Sequence, residues 1–204
     1  MRIISGKYKG RTIMMPKGIR PTQGKVRKAI FDILGDIQGL SFLELFAGSG
    51  AVGIEALSGG AGEVIFVEKQ VKCIELIKHN LSVVSLSRYE VISLDVEIAL
   101  GRFNKAKKEF DIVFLDPPYY KGIASRSRNK AAGGFGLMGD NEKEPLTKKT
   151  LQILSDYDIL AANGFIIVKH FKKDNLPVCV GDLVLFKQKK YGDTLLSFYR
   201  KVYS

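Results

Sequence analysis

The sequence predicts an α/β protein: a mostly parallel sheet closed by an antiparallel C-terminal hairpin. Three observations carry this reading. From Phe42 to Leu115, short apolar runs alternate with segments of helical spacing. Phe110–Leu115 reads as a strand buried on both faces, as in a parallel sheet. Tyr191-Gly192-Asp193 lies between two strand-like runs and reads as a hairpin turn.

In chain order, residues 2–15 form an arm of two extended pieces, Arg2–Ile4 and Arg11–Met14, separated by Gly6 and Gly10. Thr22 suits a helix N-cap. Val26, Ile30, Phe31, Ile33 and Leu34 then follow at helical spacing up to Gly35. Phe42–Leu45 is a strand, and Ala51–Leu57 a small-residue helix after a glycine turn. Glu63–Val67 is a strand; Val71, Ile74, Ile77 and Leu81 mark a helix. Val91–Leu94 is a strand, Val96–Leu100 opens a helix, and Phe110–Leu115 follows. Lys121–Glu144 has no period and is rich in Gly, Ala, Ser, Arg and Lys, which suggests a functional lid or a disordered loop. A helix resumes near Thr147–Leu154, so 121–146 reads as a flexible insert. Strands at Gly164–Lys169, Asp182–Lys189 and Leu195–Lys201 bring the sheet to seven. The organisation is then a basic arm and helix over 1–40 and one sheet domain over 41–204.

A length of 204 residues suits one domain with a real core. The net charge of +11 points to a polyanionic partner, nucleic acid or an anionic surface. That charge is segregated. Residues 1–40 hold nine basic and two acidic side chains, and 41–120 hold eight and eleven. Residues 121–149 hold seven and three, 150–168 none and two, and 169–204 eight and three. An acidic middle with basic surroundings fits a catalytic core with a nucleic-acid-facing rim. No apolar stretch approaches the ~20 residues of a membrane span, and no secretory signal is visible at the N-terminus. Cys73, Cys179, His79 and His170 form no close-spaced group, so neither a disulfide framework nor a metal site is expected.

Two loops carry the chemistry. Leu43 to Gly53 places Gly48, Gly50 and Gly53 in G-x-G-x-x-G between a strand and a helix. Such glycines allow a tight turn and close approach of a ligand to a helix N-terminus. The next strand ends at Glu68, where a carboxylate can accept ribose hydroxyl protons. Alone, this fits a nicotinamide dinucleotide as well as S-adenosylmethionine. Asp95, at the third strand tip, suits either a contact to an adenine amino group or the N-cap of the next helix.

The second loop is Asp116-Pro117-Pro118-Tyr119, at the end of the apolar strand. Two prolines remove two N–H donors, so the loop presents acceptors. The Asp116 carboxylate and the Pro117 carbonyl together can hold both protons of an exocyclic amine, and Tyr119 offers a face for stacking a base. That arrangement suits methyl transfer to a base amine, whose delocalised lone pair must be turned towards the methyl group.

Phe46-Ala47-Gly48-Ser49-Gly50 followed by Asp116-Pro117-Pro118-Tyr119 resembles the class I, Rossmann-like S-adenosylmethionine-dependent methyltransferases that act on exocyclic amines. The match narrows to the RsmD family. Arg2-Ile3-Ile4-Ser5-Gly6, Gly10-Arg11, Arg20-Pro21-Thr22, Val26-Arg27 and Ile30-Phe31-Asp32 resemble its arm. Leu43–Gly50 with Gly53–Ser58 is similar to its cofactor segment, and Lys190–Thr194 with Phe198-Tyr199 to its closing hairpin.

The resemblance implies methylation of N2 of one guanine, at position 966, in bacterial small-subunit ribosomal RNA. The alternative is a DNA or other RNA amino-methyltransferase with the same chemistry. It further implies a cytoplasmic monomer acting on rRNA within a small-subunit particle or assembly intermediate. Glu44, Phe46, Gly48, Ser49 and Gly50 would hold the methionine end of the cofactor, Glu68 its ribose and Asp95 the adenine side. Thr22 would join the cofactor site from the arm, with Arg20 and Pro21 approaching beside it. Asp116, Pro117, Pro118 and Tyr119 would hold the guanine. Arg2, Lys7, Lys9, Arg11, Arg20, Arg27 and Lys28 are candidates for rRNA phosphate contacts. Two features depart from the family pattern: the long 122–144 stretch, and Lys169 at a strand end where an acidic residue is usual.

Overall fold

The computed structural model describes residues 1–15, 24–84, 88–118 and 145–202. Arg20, Pro21, Thr22, Tyr119 and residues 121–144 of the expected insert lie outside them. The elements are α1 (Gly24–Leu34), β1 (Ser41–Leu45), α2 (Ala51–Ser58), β2 (Glu63–Glu68), α3 (Val71–Val84), β3 (Tyr89–Ser93) and α4 (Val96–Lys105). There follow β4 (Phe110–Leu115), α5 (Leu146–Asp156), β5 (Leu160–Phe171), β6 (Cys179–Val180), β7 (Leu183–Tyr191) and β8 (Thr194–Lys201).

The sheet has eight strands in the order β3-β2-β1-β4-β5-β8-β7-β6, one more than the seven expected. The addition is β6, a two-residue strand paired antiparallel with β7 and too short to leave a period in the sequence. β3, β2, β1, β4 and β5 run parallel, and β8 and β7 return antiparallel. The helix after the expected insert begins at Leu146, so 146 belongs to α5.

Side chains alternate between the two faces of the sheet. Phe42, Phe66, Ile112, Phe114, Ile167 and Phe198 pack on one face with the arm, α1, α2 and α3. Leu43, Ile65, Val113, Leu115, Val168 and Tyr199 pack on the other with α4 and α5. Burial on both faces explains why β1 and β4 read as apolar runs.

The arm is welded to this framework. Arg2 bridges Thr12 antiparallel, and Ile3 and Ile13 sit in the same core as α1 and α2. Its turn meets the C-terminal end of α2, where Lys7 N–H donates to the Ser58 carbonyl at 2.8 Å and Tyr8 N–H to Ser58 Oγ at 3.0 Å. Gly6, with φ +74°, is required there: a Cβ would lie 1.8 Å from the Ser58 carbonyl oxygen.

Strand order reverses between β1 and β4, so the crevice of a doubly wound sheet opens above their C-terminal ends. Leu45 and Leu115 are register partners. The glycine turn and the Asp116-Pro117-Pro118 segment therefore leave the sheet side by side. Among the described residues no helix is long and apolar enough to cross a membrane.

Candidate functional site

The glycine turn is built by left-handed backbone at Phe46 (φ 57°), Gly48 (φ 56°) and Gly50 (φ 70°). Phe46 is a bulky residue in a conformation that favours glycine, a strain found at functional sites. Gly50 is the N-cap of α2 and has no side chain to satisfy the first N–H groups. Glu44 does this from β1: its carboxylate accepts from Gly53 N–H at 2.8 Å and Val52 N–H at 3.4 Å. Glu44 is 3% exposed, and burial pushes its carboxyl up to about 8, with the nearby Asp116 and Glu68 charges adding to the rise. Its carboxylate is turned into the N-terminus of α2 and so shapes the glycine turn.

Glu68, at the tip of β2, accepts from Gly48 N–H at 2.8 Å and from Lys69 and Gln70 N–H at 2.9 Å each. A carboxylate has about four acceptor positions, so one hydroxyl can join without displacing a backbone donor. Asp95 is the N-cap of α4, accepting from Glu97 N–H at 3.1 Å, and its other oxygen lies 3.0 Å from Lys69 Nζ. The lysine partner holds the Asp95 carboxyl below its ordinary range. Ser49 is buried, and its carbonyl accepts from Asn80 Nδ2 at 3.2 Å.

At the end of β4, Asp116 faces Lys169. The register pairs Leu115 with Val168, which makes Asp116 and Lys169 neighbours. Lys169 Nζ donates to both Asp116 oxygens at 2.7 Å. Lys169 is buried and the Asp116 side chain 23% exposed. A cavity of about 300 Å³ opens beside them, lined by Pro117, Pro118, Lys169, His170, Lys173 and Leu176 among others. His170 is buried, with Nδ1 donating to the Phe171 carbonyl and Nε2 accepting from Ser197 Oγ. Burial lowers its pKa below the ordinary imidazole value.

The basic candidates divide. Arg2, Lys7, Lys9, Arg11 and Lys28 are exposed, and Lys7 and Arg11 flank the Tyr8 ring at 5.3 and 5.2 Å. Lys7 and Lys9 sit on the arm turn, at the end of α2 remote from the glycine turn by about 12 Å of helix. Arg27 is a correction: it is 1% exposed and reaches no solvent phosphate. Its Nε lies 3.3 Å from Glu55 Oε1, and its Nη atoms donate to Met1 Sδ and the Arg2 carbonyl. Its spacing to Ile30, one helical turn on, was the signal that it faces inward.

Sequence reasoning also passed over Asn80. This buried α3 side chain accepts from Met14 N–H at 2.7 Å and donates to the Met14 carbonyl at 3.0 Å, besides its bond to Ser49. It ties the arm to the glycine turn. No local motif announces it.

The reversal at β1 and β4, the glycine turn and the adjoining Asp-Pro-Pro end define the class I methyltransferase fold. The solved structure of yhhF from Escherichia coli superposes with a TM-score of 0.78 at 27% identity, covering 98% of this chain and 97% of that one. Within that class the chain belongs to the RsmD family: the family model described as conserved hypothetical protein 95 matches residues 1–131. YlbH of Bacillus subtilis is 37% identical over 98% of this chain and 99% of its own length. Ribosomal RNA small subunit methyltransferase D of Buchnera aphidicola, from Acyrthosiphon pisum, is 30% identical over 92% of this chain and 86% of its own.

Proposed function

We propose that the chain transfers a methyl group from S-adenosylmethionine to N2 of a guanine in small-subunit ribosomal RNA, at position 966. It does so in the cytoplasm, as a monomer, on a subunit particle or assembly intermediate. The observation that carries the reading is the adjacency of the glycine turn and Asp116-Pro117-Pro118 on neighbouring parallel strands. The relatives named ribosomal RNA small subunit methyltransferase D support the RNA substrate.

The residues present fit the cofactor. A Cβ at Gly48 would meet nothing nearer than the Phe46 carbonyl oxygen at 4.0 Å, so the turn is open on that side. Glu68 and Asp95 stand at successive strand tips with acceptors suited to hydroxyl and amino groups. When bound, the cofactor supplies a methyl group activated by a sulfonium.

Asp116 and the Pro117 carbonyl accept the two N2 protons and turn the nitrogen lone pair towards that methyl group. As the C–S bond breaks and the C–N2 bond forms, N2 gives up one proton, which Asp116 is placed to take. Tyr119 stacks on the base. Arg2, Lys7, Lys9, Arg11 and Lys28 hold backbone phosphates along the arm and α1, together with Arg20.

The test is methyl incorporation from labelled cofactor into small-subunit particles from cells lacking the protein, with the modified nucleotide mapped. One N2-methylguanosine is expected. Transfer to duplex DNA with none to the particles would overturn the reading in favour of a DNA amino-methyltransferase.

A further inference from the structure

Lys169 stands at the reaction centre, and nothing above gives it a task. The apolar runs of β4 and β5 end in register, so Lys169 is fixed by a buried strand rather than by a loop. Its ammonium is 2.7 Å from both Asp116 oxygens, and it lines the same cavity as Pro117 and Pro118. The site therefore offers two carboxylate acceptors with a cationic donor beside them.

Base edges differ in how they meet such a set. Along its pairing edge guanine presents the donors N2–H and N1–H and then the acceptor O6. Adenine presents one donor and a ring-nitrogen acceptor; cytosine presents one donor and two acceptors. A carboxylate that accepts an amine proton from any of the three meets a second donor only in guanine. In adenine and cytosine its second oxygen faces a lone pair. An ammonium next to that carboxylate completes the complement of guanine by supplying a donor for O6.

We propose that Lys169 is a specificity-determining residue: Asp116 accepts from N1–H and N2–H of the target guanine, and Lys169 Nζ donates to O6. The inference rests on the guanine-N2 reading above and deepens it. A site built around hydrogen-bonding groups rejects a base that leaves those groups unpaired far better than an apolar pocket rejects a change of size. Lys169 is thus more than a counter-charge for Asp116. A counter-charge alone would be indifferent to the atom at position 6 of the base.

The test couples a protein change to a substrate change. Wild type, K169M and K169Q are assayed on subunit RNA carrying either guanine or 6-thioguanine at the mapped target. The thio base keeps N1–H and the N2 amine but exchanges O6 for a weaker acceptor. Cofactor affinity is measured alongside. The proposal expects the thio base to lower wild-type kcat/KM about tenfold or more, the worth of a hydrogen bond to a charged group. It expects the variants to lose a similar factor on guanine, with cofactor Kd unchanged, and little more on the thio base. A wild-type thio penalty below about twofold overturns the proposal without any variant, as does an equal thio penalty in wild type and both variants. If wild type instead yields N6-methyladenosine or N4-methylcytidine, the guanine reading fails first and this proposal falls with it.

Discussion

Arg27 and Glu55 form an ion pair 3.3 Å apart, with each side chain 1% exposed. Glu55 also accepts from Ile4 N–H at 2.8 Å and Ser5 N–H at 3.4 Å, so the pair fastens α1 and the arm to α2. Burial lowers the Arg27 pKa and raises that of Glu55, each against the pull of the other. Removing one partner of a buried pair strands the other charge, which costs about 3–5 kcal/mol. Arg27→Met is expected to lower stability by about that amount and to leave the salt dependence of RNA binding unchanged. Urea unfolding and a salt titration of binding check both halves. A shallower salt slope with unaltered stability would return Arg27 to the RNA surface.

Asn80 is the second joint. Its amide satisfies both backbone groups of Met14 and the Ser49 carbonyl. Asn80→Ala leaves three backbone groups short of a partner, at about 1–3 kcal/mol for each that water does not reach. Because Ser49 belongs to the glycine turn, cofactor affinity is expected to fall about tenfold together with stability. Titration calorimetry with S-adenosylmethionine checks this. Stability lost at full cofactor affinity would confine Asn80 to the arm.

The strands, the glycine turn and the Asp-Pro-Pro end were legible because each has a local signature: period, glycine spacing or proline. Positions at strand ends follow from register, which is why Glu68, Asp95 and Asp116 stand where they were expected. What was not legible depends on contacts distant in sequence. Asn80 meets Met14 across 66 residues, and Arg27 meets Glu55 across 28. Glu44 lies in the expected motif, yet its side chain serves the backbone of α2. A carboxylate in a glycine motif reads the same whether it faces a ligand or a helix end. β6 was missed because two residues have no period, and β5 starts at Leu160 rather than Gly164 because a bulge interrupts its pairing with β4.

Asp116 separates binding from chemistry. Its carboxylate lies at the end of β4 against Lys169, on the amine side of the crevice, while the glycine turn is held by Glu44 and Glu68. Asp116→Ala is expected to lower the transfer rate by about 10²–10⁴ and to change cofactor Kd less than about twofold. Single-turnover transfer and calorimetry on the same preparation check it. An equal loss in rate and affinity would move Asp116 from the amine to the cofactor.

Glu44 makes stability depend on pH in a definite direction. Its carboxyl is pushed up to about 8 in the folded chain, chiefly by burial, from the ordinary 4.5. The folded state therefore holds a proton that the unfolded chain has released between those values. The stability this confers is fully present below about 4.5 and is lost as pH rises through about 8. Glu44→Gln keeps an acceptor oxygen for Gly53 N–H and cannot ionise. Wild type should thus lose stability relative to Glu44→Gln, by a few kcal/mol, between about pH 5 and pH 9. Urea midpoints of the two proteins at pH 5, 7 and 9 measure it. Parallel profiles would mean that Glu44 is ionised throughout, held so by the two N–H groups at the start of α2.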